Sequence, residues 1–61
     1  MHQYRGHLIR FVSTDHWSAE LVELASGALL PTTVTASASE GLDVCLERAH
    51  DLIDVYLAAQ E

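Results

Sequence analysis

Residues 41–57 read GLDVCLERAHDLIDVYL. Leu42, Cys45, Leu46, Ala49, Leu52, Ile53, Tyr56 and Leu57 recur within them at helical spacing. At about 100° per residue these side chains fill one arc of about 140° that no polar residue interrupts, the stripe of an amphipathic helix packed on a core. Just upstream, Ser37 and Glu40 stand at the spacing of an S-x-x-E capping box, in which each side chain bonds the other's backbone amide. Gly41 is a poor residue for a first turn, about 1 kcal/mol worse than alanine, and favours a start a few residues later. The pattern predicts a helix over about 38–59.

Upstream of this helix the sequence changes character. Residues 4–12 (YRGHLIRFV), 17–24 (WSAELVEL) and 29–36 (LLPTTVTA) are three runs rich in β-branched and aromatic residues. Ser13–His16 and Ala25–Ala28 separate them with turn-forming types, and Gly27 is free to take positive φ. Pro31 cannot donate to a ladder, so the third run is an edge strand or begins after it. The expected fold class is α+β, a single domain over 1–61. A three-stranded antiparallel sheet (β-β-β-α) would carry the C-terminal helix on one face. Within the strands, Ile9 and Phe11 oppose Leu8 and Val12, while Trp17, Ala19 and Leu21 oppose Val22 and Leu24. One helix covers one face only, so apolar residues on both point to a second cover.

Size argues the same way. A chain of 61 residues is marginal alone, and domains of this size lean on disulfides, metals or association. Cys45 is the only cysteine, which excludes an internal disulfide and fits a reducing cytoplasm. No Cys-x-x-Cys or His-x-x-x-His pair suggests zinc. Self-association, most simply as a homodimer, is the remaining support. No apolar run approaches the roughly 20 residues that span a bilayer, and Met1–Arg5 leads into no signal-peptide core. No cofactor is implied.

Charge narrows the partners. Nine carboxylates face three arginines and no lysine, for a formal net charge of −6. Such a surface repels phosphate backbones and anionic membranes, so this chain alone is not expected to bind nucleic acid. Residues 1–14 hold Arg5 and Arg10 and no acid, whereas the remainder holds every carboxylate and one arginine. Asp43, Glu47, Asp51 and Asp54 make one wet, negative helix face, either simply solvated or a lure for a basic protein partner. His50 neighbours Asp43, Glu47 and Asp54 on the helical wheel, as in a surface ion-pair cluster. Val44 and Val55 lie near the back of the helix and form either a small contact ridge or tolerated surface. Trp17 is a core residue or an interface anchor. Cys45 lies inside the apolar stripe and reads as a buried thiol rather than a nucleophile.

No nucleophile–base pair and no phosphate-cradling loop stands in the chain, so it is not expected to be an enzyme. A small-ligand or metal-binding protein using the histidines and the acidic helix face is the alternative to an interaction module.

With strands placed before a helix reading GLDVCLERAHDLIDVYL, the chain resembles the HicB-like family of antitoxin-type small bacterial proteins. Members look like a hairpin or three-stranded sheet followed by a helix of pattern Leu-x-x-Ala-x-x-x-Ala that finishes in Tyr-Leu. Leu42, Cys45, Leu46, Ala49, Ile53, Tyr56 and Leu57 fit that pattern. The match covers residues 41–57 closely and 4–36 in outline. ASGALLPTT stands where the family carries a Pro- and Gly-containing segment, and no DNA-binding module follows the helix. The resemblance implies a dimerising fold that covers a basic toxin or another protein, without operon autorepression by this chain unaided.

Overall fold

The computed structural model describes residues 2–60. Met1 and Glu61, the ends of the expected 1–61 domain, lie outside the described residues. Four strands precede one helix: β1 His2–Tyr4, β2 His7–Ser13, β3 His16–Glu23, β4 Val34–Ser37 and α1 Gly41–Ala58. The strands form one antiparallel sheet in the order β1-β2-β3-β4. The α+β class and the C-terminal helix are as expected, but the sheet has four strands rather than three.

The extra strand comes from a turn inside the first expected run. Arg5 has φ 48° and Gly6 φ 79°. Positive φ at both central residues of a two-residue loop is the geometry that matches strand twist in a tight hairpin. Tyr4 therefore pairs with His7, and 4–12 splits into β1 and β2. Glycine adopts this φ freely, whereas Arg5 does so at a steric cost.

The third expected run is also divided. After the Leu24–Gly27 turn, Leu29 bridges Val22, and the Leu30 amide donates to the Leu21 carbonyl. Pro31–Thr33 then leave the ladder, and pairing resumes at Val34 opposite Ala19, shifted in register by two residues. Pro31 has no amide hydrogen to keep the ladder continuous. β4 is thus a short edge strand that starts after Pro31, and Leu30 is buried beside Leu21.

The capping box forms, but not as the helix start. The Glu40 amide donates to Ser37 Oγ at 3.2 Å, and the Ser37 amide donates to Glu40 Oε1 at 2.8 Å. They close a separate turn over 38–40. Gly41, at φ 86°, redirects the chain, and α1 begins there rather than at residue 38.

The helix lies over β3 and β4. Cys45, Ala49 and Ile53, one row at i, i+4 and i+8, are fully buried with Ile9, Ala19 and Leu21. Ala36 and Leu30 complete this core, and Phe11, Trp17, Val34, Leu46, Leu52, Tyr56 and Leu57 pack around it. Of the predicted stripe, Leu42 is left exposed. No helix among the described residues is long and apolar enough to cross a membrane.

Truncation in the buried row carries transfer and cavity costs together. Ile53→Ala or Ile9→Ala is expected to lose about 2–5 kcal/mol, a large part of what so small a domain possesses. Leu42→Ala is expected to stay within about 1 kcal/mol of the parent. Urea unfolding followed by circular dichroism checks the order, and equal losses at Ile53 and Leu42 would place the helix face wrongly.

Candidate functional site

The acidic helix face does not act as one unit. Asp43, Glu47 and Asp51 are exposed, as the wheel predicts, whereas Asp54 is drawn to the sheet. It accepts from Tyr4 Oη at 2.9 Å and 3.2 Å, and from the Arg5 guanidinium at 2.8 Å. His50 stacks on the Tyr4 ring with centroids 4.1 Å apart and planes inclined by 23°. Of the carboxylates expected around His50, Asp54 feels its charge, and the stacking on Tyr4 is a contact the helical wheel did not show. The turn at Arg5 and Gly6 makes this possible, because it turns Tyr4 and Arg5 toward the C-terminal half of α1.

The electrostatics follow from that geometry. Arg5, and then the Tyr4 hydroxyl, hold the Asp54 carboxyl below its ordinary range. The same Tyr4–Asp54 hydrogen bond lifts the Tyr4 phenol above its usual value of 10.0. Arg5 and Asp54 stay about half exposed, so their attraction is screened and their main effect is positional.

A second anchor holds the other end of the helix. Arg48 forks onto both Glu40 carboxylate oxygens and donates to the Thr35 carbonyl at 2.9 Å. Arg48, and then the Ser37 amide, lower the Glu40 carboxyl from 4.5 to about 2.

His7, one of the histidines of the ligand-binding alternative, is 2% exposed, a burial that its place in the sequence did not signal. Its Nδ1 donates to the Arg5 carbonyl at 3.0 Å, and its ring stands edge-on to Tyr56. Nε2 has no hydrogen-bond partner among the described residues, an uncommon state for a buried polar atom. The bond to Arg5 secures the same tight turn.

The remaining candidates separate. Val44 packs against the core while Val55 is 66% exposed, so the two valines form no common ridge. Trp17 is half-buried on the helix-covered face and packs against the core. Burial raises the Cys45 thiol above its ordinary value. His2 stands edge-on to Phe11, and His16 pairs with Asp15 at 2.7 Å. No three His, Cys, Asp or Glu side chains gather as a metal site among the described residues.

The alternation that set Leu8, Val12, Val22 and Leu24 apart from the core residues marks the face of the sheet away from α1, to which the structure adds Leu29. Leu8, Val22 and Leu29 lie side by side across it, with Leu24 and Val12 beyond. Val12, Leu24 and Leu29 are 42%, 47% and 55% exposed, and Leu8 and Val22 are half-buried. Arg10 and Glu20 face each other in register within this apolar surface. No protein-family model, curated protein or solved structure matches the chain.

Removing the Asp54 charge tests the first anchor. In Asp54→Asn the Tyr4 phenol is expected to titrate at lower pH than in the parent, read as phenolate absorbance; an unchanged titration would refute the contact. The Glu40 shift has its own sign. A carboxyl whose folded value is depressed stabilises the fold above its ordinary value and loses that contribution as pH falls. Thermal melts of the parent are therefore expected to weaken from about pH 4.5 towards 2. Glu40→Gln should show less of this loss, and identical slopes would remove Arg48–Glu40 from the account.

Proposed function

We propose that the chain is a protein-interaction module that works as a homodimer, of the HicB-like antitoxin type. The observation that carries this reading is the sheet face opposite α1, where Leu8, Val12, Val22, Leu24 and Leu29 meet solvent. Scattered exposed apolar residues are normal, but these share one face of one sheet, and contiguous apolar surface marks interaction sites. A domain this small gains most from burying that surface on a partner.

Two further features support it. A sheet followed by one helix repeats the element order of the family that residues 41–57 resemble. Asp43, Glu47 and Asp51 remain in water on the opposite side of the molecule and suit a basic protein partner.

Sedimentation equilibrium at on the order of tens of micromolar is expected to return twice the mass of one chain; a monomer would overturn the homodimer. The antitoxin-type part has a separate check. A small basic protein encoded next to this one is expected to bind it in a complex that weakens as salt is raised. A neighbouring product that fails to bind would remove that part.

A further inference from the structure

We propose that two copies join through these open sheet faces about a two-fold axis parallel to the strands, running between β2 and β3. This rests on the homodimer reading and specifies its surface. The open face is organised in rows across the strands. Leu8, Val22 and Leu29 are aligned in one row, and Arg10 faces Glu20 in the next. A two-fold axis along the strands keeps every row at its own level and exchanges β2 with β3. Leu8 of one copy then meets Val22 of the other, and Arg10 meets Glu20, each contact occurring twice. Such self-complementarity is what an isologous interface requires.

Charge selects a second copy as the occupant. Arg5 and Arg48 are each bound by a carboxylate of their own chain. The Arg10 and Glu20 side chains make no hydrogen bond or ion pair among the described residues, although they face each other across β2 and β3. One positive and one negative group therefore lie within an apolar surface, at the positions the axis would interchange. The chain carries a net charge of −6, and two copies repel unless their acidic surfaces are kept apart. Asp43, Glu47 and Asp51 are on the exposed side of α1, beyond the covered face of the sheet. Joining the open faces puts these acids on the two outer surfaces of a four-layered helix–sheet–sheet–helix assembly. Sheets stacked face to face with their strands roughly aligned are a standard packing, about 10 Å apart.

The test uses the full chain, Arg10→Glu, Glu20→Arg, an equimolar mixture of these two variants, and the chain carrying both substitutions, each followed by sedimentation equilibrium. Each variant alone sets like charges against each other across the interface, and is expected to raise the dissociation constant roughly tenfold or more. In the mixture both cross-chain contacts are again opposite in sign, and the dimer is expected to return as a heterodimer. That recovery also shows both variants to be folded. A dimeric parent whose single variants dimerise equally well would overturn this surface and leave the homodimer standing. Recovery in the doubly substituted chain but not in the mixture would confine the pair to one chain and also overturn it. A monomeric parent would overturn both readings.

Discussion

The row Cys45–Ala49–Ile53 against Ala19, Leu21 and Ala36 is the contact on which everything else rests. Small residues on both sides, Ala49 on the helix and Ala19 and Ala36 on the strands, bring the backbones close, while Ile9, Leu21 and Ile53 fill the remaining volume. Close packing of this kind gives each buried atom many weak attractions and excludes water from the ladder beneath. Without it, a short meander with a two-residue hairpin at one end has little stability of its own.

Polar groups then fix how the helix lies on the sheet. Arg48 ties the turn before α1 to the helix and to β4, while Tyr4 and Arg5 tie its C-terminal half to the first hairpin. Apolar packing is non-directional and tolerates some sliding and rotation. Hydrogen bonds to carboxylates are directional, and two such groups at opposite ends of one helix set its register. These two arginines are each ion-paired within the chain, which makes Arg10 distinct.

One helix on a four-stranded sheet leaves the architecture with an uncovered layer. The helix side is closed by Leu30 and the aromatic residues around the core. The other side keeps leucines and valines around a facing Arg10 and Glu20. Association through that side would complete a layered core that a chain of this length does not build alone.

Periodicity made much of this legible before any coordinates. The spacing of Cys45, Ala49 and Ile53 placed the helix, and alternation assigned Ile9, Phe11, Ala19 and Leu21 to one face and Leu8, Val12 and Val22 to the other. Both patterns survive because they record burial, which repeats with the geometry of the backbone. The Arg5–Gly6 turn did not emerge that way, although a glycine inside an apparent strand was its signal. Arginine at positive φ is unfavourable locally and is held by contacts to Asp54, some fifty positions away in the chain. The same holds for the ring contacts of His7 with Tyr56 and of His50 with Tyr4, which were settled by which elements came to lie together. Local sequence thus determined the elements and their apolar faces, because each depends on neighbours within a turn or a strand. The fourth strand, the delayed helix start and the two polar anchors belonged to the folded molecule, because they depend on distant groups meeting across it.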